Sequence, residues 1–205
     1  MRLQYFFKLL LSICILIMTS CTKDSLDPTL YSFVGGDTEI KWTAYKCTNK
    51  IGVSGLFEDF KISGPKYQTS IREMLSNVKI DIKTESLNTR STFRDENILK
   101  YFFTTLDNHE WIRGSVVKVS GNDMKGKLFV MMDFNNVSNE IVFDFKINTG
   151  MLVMEADFDL IDWNAAHSLD NFDDCCSTLH TGEDGKQMIW PNLHLEISSA
   201  MEIAN

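Results

Sequence analysis

The sequence predicts an all-β fold, an antiparallel eight-stranded barrel with two short helices. Most of the chain alternates apolar and polar residues with a period of two, as half-buried strands do. Short links rich in Asn and Gly join consecutive strands, and only two stretches have helical spacing. A long antiparallel meander has to close or stack so that its edges are not left open, and closure gives a barrel.

The clearest strands are three consecutive segments in the second half of the chain. They are KLFVMMDF (127–134), EIVFDFKI (140–147) and MLVMEADFDLI (151–161), and each places its apolar residues on one face. The links NNVSN (135–139) and NTG (148–150) contain residues that tolerate the positive φ of tight hairpin turns. Five further alternating segments complete the eight strands: 39–46, 51–62, 77–84, 111–119 and 192–203.

Two stretches predict helices. STFRDENILKYFFTTL (91–106) starts with the cap candidates Ser91 and Thr92. Its Arg94–Asp95 pair predicts either a clamp for a ligand head group or a helix-dipole and surface ion-pair role. WNAAHSLDNFDDCCSTL (163–179) spaces its apolar residues along one face, which places Asp173 and Asp174 on the solvated side.

The N-terminus predicts a bacterial lipoprotein. Arg2 and Lys8 precede an apolar run, 9–18, that is too short to span a bilayer and is typical of a secretory signal. MTSC (18–21) resembles a lipobox, in which cleavage precedes a lipid-bearing cysteine, although Met18 stands where Leu is usual. An ordinary secretory signal with a nearby cysteine is the alternative.

These features divide the chain into three parts. Residues 1–20 form the signal peptide, and Cys21 carries the lipid anchor that attaches the protein to a membrane. Residues 21–37, polar and with Pro28, form a tether, and 38–205 form the barrel domain. The predicted location is the cell envelope, in the periplasm or at the outer membrane.

The charge excludes one class of partner. The chain has a net charge of −8, and removal of a signal peptide that carries two basic and no acidic residues brings it to about −10. Nucleic acid is therefore not expected, because phosphate binding needs a basic surface. A homodimer is an additional partner that the sequence leaves open.

Cysteines and histidines give no recognisable metal or catalytic motif. Cys47, Cys175 and Cys176 form no C-x-x-C pair, and the four histidines form no H-E-x-x-H. Inert buried thiols, a disulfide from Cys47 to one of the pair, and a metal or redox site all remain open. His180 is expected to satisfy backbone groups at a turn. The acids at 155, 157 and 159 alternate on one strand face and predict a solvated surface.

Four stretches between Tyr31 and the C-terminus carry a resemblance. They are IKWTAYK (40–46), VSGLFEDF (53–60), the block at 86–106 and LHTGEDGKQMIWPNLHLEI (179–197). In this order they resemble the YceI-like family of bacterial lipid-binding proteins. The first two are similar to the first two strands of the family, and the block at 86–106 resembles its S-x-x-T, Arg-Asp and Phe-Phe elements. The last stretch resembles the C-terminal signature of a subset, with Ile189 where Thr is usual.

This resemblance implies a lipocalin-like barrel that binds a long-chain amphiphile along its axis, of isoprenoid, quinone or fatty-acid type, without catalysis or a cofactor. An eight-stranded barrel has room for one small ligand, which agrees with the pattern. Two rivals remain, a solid-cored structural or interaction lipoprotein and, more weakly, an enzyme that uses His180 and the thiols at the barrel mouth. The predicted ligand-lining residues are apolar and inward-facing: Trp42, Phe57, Phe102, Met132, Phe143, Phe145, Met154 and Phe158.

Overall fold

In the part of the chain that the structure describes, ten strand segments form one antiparallel sheet. The structure, a computed structural model, describes residues 29–204, with the backbone alone at 33–36 and 204. The predicted signal peptide, Cys21 and tether residues 21–28 lie outside the described residues. The strands are β1 Leu30–Lys46, β2 Ile51–Phe57, β3 Phe60–Ser63, β4 Lys79–Lys83, β5 Leu87–Asn88, β6 Trp111–Gly121, β7 Lys125–Phe134, β8 Val137–Asn148, β9 Met151–Asp159 and β10 Ile189–Ala204.

The sheet is curled, and its two edge strands are β3 and β5. Each edge strand follows closely in the chain on a strand near the other edge, β3 on β2 and β5 on β4, and this brings the two edges together. The strand order is β3-β4-β6-β7-β8-β9-β10-β1-β2-β5, in which β3 pairs with β4 and β2 pairs with β5. Only residues 58 and 59 separate β2 from β3. Hydrogen bonds from Glu58 N to Ser86 O (3.2 Å) and from Lys83 N to Asp59 O (3.0 Å) continue the ladder across this break. The first and last long strands, β1 and β10, pair from Leu30–Ala204 to Lys46–Ile189.

Four helices lie between the strands: α1 Ile71–Leu75, α2 Thr92–Tyr101, α3 Ala166–Cys175 and α4 Ser177–His180. Short 3₁₀ turns occupy Thr84–Ser86, Phe103–Thr105 and Leu160–Trp163. The Ser91 hydroxyl caps α2 by accepting from Arg94 N. Within residues 29–204, none of the helices combines the length and apolar character needed to cross a bilayer.

The predicted fold class is confirmed, with three corrections of detail. The eight predicted strands are ten segments, because the predicted strand 51–62 breaks at residues 58–59 and because β5, which follows the 3₁₀ turn Thr84–Ser86, was not predicted. Strand β1 begins at Leu30, so residues 30–37 belong to the sheet and the predicted tether was too long. Helix α1 was not predicted, and the second predicted helix is divided at Cys176.

The alternation places its apolar residues inside the sheet as predicted. On β8, Ile141, Phe143 and Phe145 are buried, whereas Asp144 between them is exposed. The hairpins on either side of β8 turn at Asn135–Asn136 and at Thr149–Gly150, all with positive φ. Such turns match the twist of paired strands, so they fix which face of each strand points inward.

Candidate functional site

The interior of the curled sheet contains a row of three cavities. The largest, called here the central cavity, has a volume of about 110 Å³. Two cavities of about 80 Å³ flank it, and both share wall residues with it. One of them, called here the helix-side cavity, is lined by Arg94 and Asn97 and shares Trp42 and Phe172 with the central cavity. The other, called here the far cavity, shares Met132 and Leu195 with the central cavity. The row therefore runs along the inside of the sheet.

The walls of the central cavity are almost wholly hydrocarbon. Strands from most of the sheet contribute side chains to it, and helices α2 and α3 cover it with Ile98, Leu169 and Phe172. The full lining is Trp42, Ala44, Phe57, Ile82, Ile98, Phe102, Phe103, Ile112, Met132, Phe134, Phe158, Leu160, Leu169, Phe172, Ile189, Trp190, Leu193 and Leu195. A space with such walls favours an apolar occupant.

Seven of the eight residues predicted to line the ligand site lie on these cavity walls. Trp42, Phe57, Phe102, Met132 and Phe158 line the central cavity. Phe143 and Met154 line the far cavity, together with Met132. Their role in contacting a ligand stays a prediction.

Phe145 is the exception, because it is buried but lines none of the three cavities. It lies opposite Gly126 of β7 in the strand register. A Cβ atom at residue 126 would come within 2.7 Å of the Phe145 ring and within 1.9 Å of the Ser120 carbonyl oxygen. The ring thus fills the space above a glycine, and this part of the interior is packed solid.

Trp163, which the sequence analysis did not single out, supports the cavity wall from the Leu160–Trp163 turn. Its ring meets that of Phe158 edge to face, with 5.4 Å between centroids, and its Nε1–H donates to Met132 O at 3.0 Å. Asn135 Nδ2 donates to the Trp163 carbonyl at 2.9 Å, and Asn135 Oδ1 accepts from Asp107 N at 2.8 Å. These bonds tie the turn to the cavity wall and to the β7–β8 hairpin.

The helix-side cavity has the most polar side chains of the three. Arg94, Asn97 and Ile98 lie on one face of α2 and line it, opposite Lys46, Cys176 and His180. Asp95 points elsewhere: its carboxylate accepts from Thr89 N at 2.9 Å and from Thr89 Oγ1 at 2.6 Å. Of the Arg94–Asp95 pair, only the arginine therefore borders a cavity.

His180 pairs with a carboxylate, which corrects two expectations. Its Nδ1 lies 2.7 Å from Asp173 Oδ1, and its ring meets the edge of Phe172. Asp173 is therefore not on the solvated side of the helix, and His180 does not serve backbone groups through its ring. The pair spans the break at Cys176, where α3 ends and α4 begins.

The protonation states at this corner do not favour a cysteine–histidine catalytic pair. Burial raises the pKa of the Cys176 thiol, which holds it protonated, and the neighbouring Cys175 acts in the same direction. Burial lowers the pKa of His180, although Asp173 opposes this shift. All three cysteines of residues 29–204 have free thiols, and no cluster of three His, Cys, Asp or Glu side chains in that range is placed to hold a metal ion.

The lowered pKa of His180 predicts a pH-dependent stability. The unfolded chain, with an ordinary histidine pKa near 6.5, binds the proton more readily than the folded protein does. Stability is thus fully present above that value and falls as the pH drops below it, with a limiting slope of about 1.4 kcal/mol per pH unit for one proton. Urea unfolding between about pH 7.5 and 5.5 should show this decline, and His180→Gln should flatten it.

Asp173→Asn gives the matched control, because it removes the carboxylate that favours the protonated ring. The pKa of His180 in the folded protein should fall further in this variant, so the decline should continue to lower pH. A slope that is the same in the parent, His180→Gln and Asp173→Asn would contradict the assignment of the pH dependence to His180.

The predicted surface position of the acids at 155, 157 and 159 agrees with the structure. Asp157 is exposed and lies 3.0 Å from His194 Nδ1, and Glu155 lies 3.5 Å from Lys146 Nζ. Asp159 caps the turn that follows β9 by accepting from Ile161 N at 2.9 Å. These carboxylates serve the surface and a turn, and they do not converge on a site.

An antiparallel sheet curled around an apolar interior and covered by short helices defines the lipocalin-like class of barrel. Within that class, the chain belongs to the YceI-like family, whose domain model matches residues 31–199. No curated protein matches the sequence.

Three solved structures with this fold illustrate the likeness. A polyisoprenoid binding domain from Saccharophagus degradans, implicated in plant cell wall breakdown, has a TM-score of 0.58 at 11% identity, with 86% of this chain and 99% of that chain covered. BcnA of Burkholderia cenocepacia has a TM-score of 0.52 at 7% identity, with 82% and 96% covered. The YceI protein of Campylobacter jejuni has a TM-score of 0.52 at 19% identity, with 75% and 85% covered. At these identities the likeness concerns the fold.

Proposed function

We propose that this protein binds a long-chain amphiphile, of isoprenoid, quinone or fatty-acid type, with its chain along the row of cavities. The observation that carries the proposal is the almost wholly apolar wall of the central cavity. A related fold in Saccharophagus degradans is described as a polyisoprenoid binding domain, which supports the same ligand class here. Each buried CH₂ contributes about 0.8 kcal/mol, offset by the cost of ordering the ligand.

The ligand has to extend through more than one cavity. Each cavity alone is smaller than the roughly 300 Å³ at which ligand pockets usually begin. Met132 lies between the central and far cavities, and an unbranched methionine side chain adapts its shape at low cost. We expect Met132 to change rotamer when the chain of the ligand passes it.

Filling the central cavity tests the proposal. Ala44 lines the central and helix-side cavities, so Ala44→Phe places a ring where the ligand chain would lie. Native mass spectrometry after expression in several hosts should detect co-purified lipid with the parent protein and at least tenfold less with Ala44→Phe. Val142→Phe is the control, because Val142 is an exposed apolar residue on the outer face of β8.

A parent protein that carries no lipid from any host, and takes up none when offered, would contradict the proposal. That result favours the rival of a solid-cored structural lipoprotein. A loss of lipid in Val142→Phe equal to that in Ala44→Phe would show that the assay reports general destabilisation.

We also propose that the protein acts in the cell envelope, held by a lipid on Cys21. The support is the apolar run and the MTSC sequence at 18–21. Cys21→Ala should leave the precursor unprocessed or release the protein from membranes, as measured by fractionation and by the mass of the mature chain. Membrane association and processing identical to the parent would contradict the anchor.

A further inference from the structure

The helix-side cavity presents hydrogen-bond donors and no acid. Arg94, Lys46 and Asn97 line it, and no Asp or Glu of the described chain does. This distribution is notable because acidic residues outnumber basic ones by 28 to 20 over the whole sequence. A mostly apolar cavity that carries two cations and no acid favours an occupant that combines a hydrocarbon part with a negatively charged group.

Two of these donors have no partner among the side chains and backbone that the structure describes within residues 29–204. The guanidinium of Arg94 and the side-chain amide of Asn97 make no hydrogen bond or ion pair with any described residue, whereas Lys46 Nζ donates to Leu179 O at 2.6 Å. Asn97 and Arg94 are three residues apart on α2, so both face the same space. Their donors are available to a ligand.

Trp42 supplies a second, independent observation. Its Nε1–H is buried and has no acceptor among the described residues, while its ring lines both the helix-side and central cavities. An indole nitrogen is a donor only, and a buried donor without an acceptor costs about 1–3 kcal/mol. This nitrogen has almost no accessible surface, so an oxygen atom of a ligand at the junction of the two cavities would satisfy the donor after a small shift of the indole ring.

We infer that the helix-side cavity is an oxyanion subsite, which takes the carboxylate or phosphate head of an amphiphile whose chain enters the central cavity. The inference rests on the proposed function and adds to it the head-group chemistry and the direction in which the ligand lies. Arg94 pairs with the negative charge, and the Trp42 N–H donates to an oxygen where the head joins the chain. His180 also lines this cavity, and its Nδ1 is engaged by Asp173.

The test compares three ligands with the same hydrocarbon chain: hexadecanoic acid, hexadecyl phosphate and 1-hexadecanol. The delipidated mature protein should bind at least one of the two acids about tenfold more tightly than the alcohol, as one charge-assisted hydrogen bond predicts. Preference for the carboxylate or for the phosphate identifies which oxyanion the site accepts, and either preference supports the inference.

Arg94→Gln should weaken binding of the preferred acid about tenfold and leave the alcohol within twofold. Arg94→Lys, which keeps the charge, should restore much of the preference. Arg72→Gln is the matched control, since Arg72, like Arg94, is an exposed helical arginine but lines none of the three cavities. Trp42→Phe should weaken all three ligands about three- to tenfold, because the alcohol oxygen also accepts from the indole N–H.

Equal binding of acid and alcohol by the parent, or an acid preference that persists in Arg94→Gln, would overturn the oxyanion subsite while leaving the proposed function intact. Failure of all three ligands to bind would overturn the subsite, and it would overturn the proposed function as well if no lipid co-purifies with the parent protein. The titration and native mass spectrometry together therefore distinguish the two failures.

Discussion

Phe145→Glu is expected to unfold the protein at ambient temperature, or to lower its stability by several kcal/mol. Phe145 is 3% exposed, and its ring fills the space above Gly126 without bordering a cavity. A carboxylate at this position would be buried without a partner and without room for water, which is among the costliest changes in a protein interior. Urea unfolding followed by circular dichroism measures the loss.

Met154→Lys provides a paired comparison on the neighbouring strand. Met154 lies opposite Phe145 in the β8–β9 register but lines the far cavity. A lysine there can admit water into that cavity, so the variant should stay folded and lose lipid. Asp157→Asn, on the outer face, should change stability by no more than about 0.5 kcal/mol. Unfolding by Met154→Lys as complete as that by Phe145→Glu would favour a solid core.

Trp163→Ala is expected to lower the free energy of unfolding by about 3–5 kcal/mol, the usual cost of removing a buried tryptophan. The side chain is 1% exposed, supports Phe158 and bonds to Met132 O. Lipid binding should weaken as well, because both of those residues belong to the cavity wall.

Trp163→Phe separates packing from hydrogen bonding. It keeps a ring against Phe158 but leaves Met132 O without its indole donor, for which we expect a loss of about 1–3 kcal/mol. Trp111→Ala is the control, since Trp111 is only half-buried and its ring faces Arg113. Equal losses for Trp163→Ala and Trp111→Ala would contradict the supporting role of Trp163.

Alternation with a period of two was sufficient to predict the inward faces of the long strands. Successive side chains of a strand point to opposite faces, so residues such as Phe143 and Asp144 are assigned once the strand is recognised. The positive-φ turn at Asn135–Asn136 then fixes the register of the next strand. The family motifs agreed with this architecture, since the domain model covers 31–199.

The same rule does not separate cavity walls from packed interior. Phe143 and Phe145 are equivalent in pattern, yet only Phe143 borders a cavity, because Gly126 across the strand leaves space that the Phe145 ring occupies. The Asp173–His180 pair was also not predictable, since it depends on a helix break at Cys176. Both features arise from contacts between segments, which a single-sequence pattern does not contain.

The pairing of β1 with β10 has a consequence for how the chain folds. Because the first described strand meets the last, one side of β1 has no partner until the C-terminal residues are available. Contacts this distant in sequence close a very long loop, and domains rich in such contacts fold in milliseconds to seconds, much more slowly than helical bundles. A chain that ended before residue 189 could pair β2 with β1, but it would lack β10. The apolar inner face of β1 and β2 would then not be covered by the strand that completes this side of the sheet.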